Sequence, residues 1–432
     1  MTSLQDILSS TDPAVAQAAA GELLRQREGM ELIASENYQS AAVLAAQSSV
    51  LANKYAEGTP GRRYYGGQEF TDQIEQLAID RAKALFRADH ANVQPLSGAA
   101  ANICAYAARL EPGDTVLWMD LSHGGHLTHG APVTYMSKIF RFVRYGMSNT
   151  HTGEIDYDAL RQLAREEKPT LILAWFSAYP RELDYAKFAE IASEVGAVAM
   201  ADMAHIAGFI AAGELKNPLD AGFQMMTTTT HKSLRGPRGA MILSKWTVGN
   251  PLKAPEKTID NLPTLIDRAV FPGIQGGPHM QTIAAIAVAL GEADTDTFRV
   301  YAKQTLVNAK VLAQELLTKG RSLVTWGTDN HLIVMDFTGT GLDGKAAEHL
   351  LDEVGISTSK STIPNDPNPP YKPSGLRVGM PAMTTRGFQE TETKRLATLI
   401  DQTLRSGGDE TILKNLRAEV KEMALQFPVP SV

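Results

Sequence analysis

The chain has 432 residues and a mass of 46.7 kDa, too long for one ordinary domain, and its 44% apolar against 21% charged residues supply a core and exclude disorder. Its 41 basic and 48 acidic residues give a net charge of −7 with no block of like sign, which speaks against nucleic acid or an anionic membrane as partner. A single cysteine, Cys104, rules out a disulfide framework and any multi-cysteine metal site, and fits a reducing compartment. Apolar runs such as 283–290 are too short to span a bilayer. The opening Met1-Thr2-Ser3-Leu4-Gln5-Asp6 lacks the basic region and apolar stretch of a signal peptide. The expectation is a soluble, cytoplasmic protein.

Asp12-Pro13 pairs a capping residue with the residue best suited to a first helical turn, so a helix is expected from there to Gly29. Helical spacing of Phe70, Ile74, Leu77, Ala78, Ala82 and Leu85 predicts a second helix over 69–86. Short apolar runs then follow at 115–119, 139–143, 170–176, 197–201, 225–230 and 240–243, with amphipathic stretches such as 185–195 between them. Strand and helix in alternation predict a mainly parallel sheet covered by helices on both faces. Ligands of such sheets bind beyond the carboxyl ends of the strands. After Gly291 the pattern changes: a long helix over 297–319, strands near 332–336 and 376–378, and helices over 388–404 and 410–425 read as a smaller α+β unit. The expected division is an N-terminal helical arm (1–30), a large domain (31–292) and a small C-terminal domain (293–432).

The most informative segment is Thr227-Thr228-Thr229-Thr230-His231-Lys232-Ser233-Leu234-Arg235-Gly236-Pro237-Arg238-Gly239. A partly desolvated lysine at a strand end can have its pKa lowered enough to form an imine with a carbonyl, although a lone lysine in a turn is more often a surface residue. Upstream, the strand at 197–201 runs into Asp202-Met203-Ala204-His205. A carboxylate there can pair with a protonated pyridine nitrogen, or merely cap the next turn. Ser97-Gly98, between a short strand at 91–94 and a helix over 99–109, forms either a phosphate cradle or a packing turn. His123, His126 and His129 have glycines among them and no acidic partner at ligand spacing, so stacking of an imidazole on a flat ring fits better than zinc. Tyr55, Glu57 and Tyr65 gather in an irregular stretch, as an acid–base group with partners or as a solvated loop. The run at 271–278 is a second glycine turn before a helix, and Arg377 stands inside an apolar strand, as a carboxylate clamp or a structural ion pair.

Together, Leu32-Ile33-Ala34-Ser35-Glu36-Asn37-Tyr38, the stretches 53–58, 63–67, 123–130, 202–208, 227–239 and 271–278, and Gly375-Leu376-Arg377-Val378 resemble the serine hydroxymethyltransferase family, from about Glu31 to Gly387. These are pyridoxal-phosphate enzymes of the aspartate aminotransferase fold type (fold type I). The resemblance implies Lys232 as the Schiff-base lysine, Asp202 as partner of the pyridine nitrogen, His126 stacked on the ring, and Ser177 and His205 near its 3-hydroxyl side. It implies phosphate contacts from Ser97 and Gly98 and, from a neighbouring subunit, Tyr55 and Gly277. Ser35 and Arg377 would hold the substrate carboxylate. Glu57 and Tyr65, also from the neighbour, would handle the hydroxymethyl proton, and Leu121 and Gly125 would offer backbone contacts to tetrahydrofolate. No metal is implied. A shared site implies an obligate homodimer, with a tetramer open.

This chain departs from the family's usual pattern at Ala99, where a serine is common, at Ser361, where an asparagine meets the pterin, and at Ala240, where a second glycine is common. The resemblance implies transfer of serine's hydroxymethyl group to tetrahydrofolate, giving glycine. Rivals within the fold are a 2-methylserine hydroxymethyltransferase and a folate-independent threonine aldolase or transaldolase. A non-catalytic binding protein of the same fold is the rival from another class, disfavoured by the full set Lys232, Asp202, Glu57 and Arg377.

Overall fold

The computed structural model describes residues 4–125, 128–175, 177–245 and 262–430. Its centre is a seven-stranded sheet: β1 (His90–Asn92), β2 (Thr115–Met119), β3 (Arg141–Tyr145), β4 (Leu171–Trp175), β5 (Val198–Asp202), β6 (Met225–Thr229) and β7 (Ala240–Ser244). The spatial order is β1-β7-β6-β5-β4-β2-β3. From β3 to β6 all neighbours are parallel, while β7 runs antiparallel to both β6 and β1. The expected mainly parallel sheet is therefore present. Its strands read as continuous apolar runs because both faces are covered. Leu117, Met119, Ile172 and Ala174 enter the core under the helices Glu69–Phe86, Tyr185–Val195 and Met280–Ala293. Val116, Trp118, Leu171 and Leu173 enter the opposite core with the helix Gly98–Arg109.

A four-stranded antiparallel sheet, in the order Ser322–Leu323, Leu332–Asp336, Gly375–Gly379 and Ser359–Ser361, carries a second core. The helix Asp296–Thr318 joins the two units: Phe298, Tyr301, Ala302 and Leu306 pack in the first core, and Ala309, Leu312, Ala313 and Leu316 in the second. Met30–Glu31 pairs in parallel with Ile356–Ser357, and the Gly379 N–H donates to the Leu32 carbonyl at 2.8 Å. The chain after Leu32 is thereby laid alongside the strand that bears Arg377.

Several predicted bounds coincide with the structure, including the helices Glu69–Phe86, Tyr185–Val195 and Glu410–Leu425. The strand expected at 139–143 begins two residues later, at Arg141, because the tight turn Tyr135–Lys138 takes up the backbone N–H groups of Ile139 and Phe140 through the Met136 carbonyl. Asp12 caps the helix Pro13–Glu28 by accepting from the Val15 N–H at 3.1 Å, and this helix buries none of its own residues.

Its anchor is Arg386. This guanidinium donates to the carbonyls of Gln26 (3.0 Å), Arg27 (3.1 Å) and Gly29 (2.7 Å) at the end of that helix, and to Ala424 (2.5 Å) and Phe427 (2.6 Å) at the end of Glu410–Leu425. One cation thus satisfies orphan carbonyls at two helix C-termini and opposes both dipoles. Each orphaned buried acceptor costs about 1–3 kcal/mol, so Arg386→Ala is expected to lower stability by about 2 kcal/mol or more. Denaturant titration at fixed protein concentration checks this, and Arg386→Lys should recover little because an ammonium cannot reach both helix ends.

Candidate functional site

A cavity of about 520 Å³ opens at the carboxyl ends of β4, β5 and β6, lined among others by Ser35, Ser97, Gly98, Ser177, Asp202, His205, Lys232 and Arg377. Eight of the residues singled out from sequence thus face one space, though they are scattered from position 35 to 377. The Lys232 backbone is tied from several sides. Its carbonyl accepts from Asn37 Nδ2 and from the Arg235 N–H, both at 3.1 Å. The next residue, Ser233, donates from Oγ to the His205 carbonyl and accepts from the Gly208 N–H, both at 3.0 Å. Gly208 has to be a glycine, since a Cβ there would lie 2.5 Å from the Ser233 carbonyl oxygen. The glycine turn closes through Gly236 N–H to the Thr230 carbonyl at 2.7 Å and Thr230 Oγ1 to the Pro237 carbonyl at 2.6 Å.

Burial drives the Lys232 amine down to about 7; the Asp202 charge opposes this, while the guanidinium groups of Arg377 and Arg238 add to it. A substantial neutral fraction therefore exists at neutral pH, as a lysine that forms imines requires. Asp202 follows the opposite logic. Its burial alone would push the carboxyl up, but it accepts from His129 Nε2 at 3.0 Å and Asn102 Nδ2 at 2.8 Å, and with the nearby Lys232 charge it ends below the usual carboxylate range. The Ala204 N–H donates to its other oxygen at 3.0 Å. Asn102 is oriented in turn by Thr227 Oγ1 at 2.7 Å, and Tyr106 bonds His129 Nδ1. Asp202 is therefore held as an anion, aimed by side chains from three elements.

Ser97 caps the helix Gly98–Arg109, its Oγ accepting from the Ala100 N–H at 3.2 Å. A Cβ on Gly98 would meet Thr229 Cγ2 at 2.7 Å, so only glycine lets this helix start approach β6 so closely. Arg377 donates from Nη1 to the Ser177 carbonyl at 2.7 Å and from Nε to Ser359 Oγ at 3.3 Å, and among the described residues no carboxylate pairs with it. Its burial pulls the guanidinium down to about 10. A desolvated, unneutralised guanidinium is suited to a ligand carboxylate. The Ser177 and Ala178 N–H groups donate to the Gly124 carbonyl at 2.7 and 3.2 Å, which joins the Leu121–Gly125 stretch to the cavity wall.

Tyr55, Glu57, Tyr65 and Gly277 do not line this cavity. They form a second group: Tyr55 Oη donates to Glu57 Oε1 at 3.3 Å, the Tyr55 and Tyr65 rings lie 5.3 Å apart, and Gly277 abuts Tyr55. The negative charge of Glu57 holds the Tyr55 phenol above its ordinary value. This stretch is a pinned loop, because the buried Arg63 side chain bonds Asp72 (2.8 Å), Glu75 (2.5 Å) and the Ala56 and Gly58 carbonyls. Of the histidines of the 123–129 motif, His129 turns to Asp202 and His123 Nδ1 accepts from the Met147 N–H at 2.9 Å, while His126 lies outside the described residues. Sequence reasoning did not find Asn102, His231 or Trp175 on the cavity wall.

The serine hydroxymethyltransferase family model matches residues 8–400. Serine hydroxymethyltransferases of Microcystis aeruginosa and Crocosphaera subtropica are each 51% identical over 424 residues, covering 98% of this chain and 96% of the relative. That of a Nostoc strain is 50% identical over the same length. The chain belongs to the serine hydroxymethyltransferase family. Its sheet and helices are those of fold type I of the pyridoxal-phosphate enzymes.

The cavity fits that cofactor on its own features. The Ser97–Gly98 helix start offers backbone donors for a phosphate, Asp202 offers an anion to a ring nitrogen, and His231 Nδ1 is buried without a hydrogen-bond partner among the described residues. The charge arrangement has a measurable consequence. Acylation of Lys232 in cofactor-free protein, followed by peptide mass spectrometry, should be half-maximal near pH 7, where the lysine loses its proton. Asp202→Asn removes a charge that favours the ammonium and should lower that midpoint. A midpoint near the ordinary lysine value of about 10 would contradict this electrostatic reading.

Proposed function

We propose that the chain catalyses reversible transfer of the hydroxymethyl group of L-serine to tetrahydrofolate, giving glycine and 5,10-methylenetetrahydrofolate, with pyridoxal phosphate carried on Lys232. The observation that carries this reading is the joint exposure of Lys232, Asp202 and an unneutralised Arg377 in one cavity. Bound there, the cofactor would supply an aldehyde for the lysine amine and a ring that accepts electrons from the substrate's α-carbon. Asp202 would keep the ring nitrogen protonated. Ser97 and Gly98 would hold the phosphate, Ser177 and His205 would border the 3-hydroxyl, and His126 would stack on the ring. Arg377, with Ser35, would grip the substrate carboxylate and so orient the bond to be broken. Glu57 and Tyr65 would take and return the hydroxyl proton, while the Leu121 and Gly125 backbone would receive tetrahydrofolate.

The same proposal includes an obligate homodimer with shared sites. Its support is the separation of the Tyr55–Glu57–Tyr65–Gly277 group from the cavity, together with exposed Tyr64, Phe70, Leu96 and Ile274 on neighbouring segments. It also includes the division into an arm (1–30), a large cofactor domain (31–292) and a small domain (293–432), and a cytoplasmic setting. No helix among the described residues is long and apolar enough to cross a membrane.

A product assay tests the reaction. Serine should yield glycine only when tetrahydrofolate is present, with 2-methylserine a poorer substrate. Equal cleavage without tetrahydrofolate would replace this reading with the aldolase, and preference for 2-methylserine would replace it with the methylserine enzyme.

A further inference from the structure

Trp175 is the last residue of β4 and stands in register with Asp202 of β5. Its side chain is only 2% exposed, yet it forms part of the cavity wall. The indole meets the His129 imidazole edge-on, with centroids 5.0 Å apart and planes at 68°. Tyr106 also meets this imidazole edge-on, at 5.9 Å and 82°, and its hydroxyl bonds His129 Nδ1. With Tyr106 donating to Nδ1, the ring proton is on Nε2, which faces Asp202 Oδ2. His129 is thus held by two aromatic rings in the orientation that directs Nε2 at the carboxylate. The other groups facing Asp202 are Asn102, the Ala204 N–H and the Lys232 charge. Of these, Asn102 also meets the imidazole, its Nδ2 lying 3.2 Å from His129 Nε2, while the two aromatic rings flank it at the edges.

We propose that Trp175 is a positioning residue: it fixes the His129 ring against Tyr106 and closes the cavity beside Asp202, so that the carboxylate stays charged and aimed at the cofactor's ring nitrogen. The inference rests on the reading of this cavity as a pyridoxal-phosphate site. Two physical effects support it. Truncating a buried indole opens a void that admits water next to Asp202 and weakens the attraction between its charge and a protonated ring nitrogen. An imidazole free to rotate also ceases to donate consistently, leaving a buried carboxylate short of a hydrogen bond. Both changes make the nitrogen easier to deprotonate. An aromatic of smaller size still restrains the imidazole edge, so Phe should act as the conservative replacement.

The test uses holoenzyme loaded with nitrogen-15-labelled pyridoxal phosphate, with the ring-nitrogen chemical shift followed from about pH 6 to 9. The parent protein and Trp175→Phe should stay in the protonated range throughout. Trp175→Ala should lose the proton at least about one pH unit earlier, and should release cofactor on dialysis about tenfold faster. Trp175→Leu, which keeps apolar volume without a ring, is expected to behave like the alanine variant and decides the matter if Trp175→Ala fails to fold. Folded Ala or Leu variants with the parent's nitrogen titration would overturn the inference alone. A parent protein that binds no cofactor at Lys232 would overturn the functional reading as well.

Discussion

The charged state of Asp202 is the constraint on which the rest of the site depends. A carboxylate 5% exposed at the end of a central strand would by burial alone take up a proton. Here it remains an anion because the fold delivers Asn102 from the helix Gly98–Arg109, His129 from the segment after β2, and the Ala204 N–H from its own turn. The parallel sheet makes this possible, since it ends several strands at one level and leaves their following residues to converge. Lys232 enters the same space one strand away, where Asp202 moderates how far burial lowers its amine. Each of the two groups therefore sets the protonation of the other.

The four-stranded sheet contributes the opposite kind of charge. Arg377 sits on an apolar strand and contacts Ser177 and Ser359, both neutral, and among the described residues no carboxylate pairs with it, which suits it to an anionic ligand. The chain from Met30 pairs with Ile356–Ser357 and meets the end of this strand through the Gly379 N–H to Leu32 carbonyl bond, and Ser35 and Glu36 then line the cavity. By contrast, the Glu57 group is anchored to the helix Glu69–Phe86 through Arg63, Asp72 and Glu75, outside that cavity. In the proposed homodimer, a second copy of the chain would bring this group to the cavity.

The sheet was legible in the sequence because buried parallel strands are continuous apolar runs, and strand-end polar residues such as Asp202 and Lys232 stand out against them. Local competition marked where such reading ends: the turn Tyr135–Lys138 took residues that look like strand. Gly98 was readable as a turn before a helix, but its contact with Thr229, 131 positions away, was not. Asn102 hides in an alanine-rich helix and Trp175 in a run of buried strand residues, so nothing local separates them from core. For the 123–129 histidines, spacing shows that the residues are near in sequence but not that His123 and His129 point to different partners. The structural origin of each site residue's direction is tertiary, and only its chemistry is local.

The most direct measurement on the account as a whole is the activity of a mixed dimer. Lys232→Ala and Glu57→Gln subunits, carrying different tags and co-expressed, can be purified as the heterodimer and assayed for tetrahydrofolate-dependent formation of glycine from serine. If each site combines Lys232 of one copy with Glu57 of the other, one site carries both defects and the second carries neither. The mixed dimer should then show about half the parent activity while both homodimeric variants are nearly inactive. A mixed dimer as inactive as its parents would mean that Lys232 and Glu57 act within one chain, and would contradict the division of the site between the two clusters.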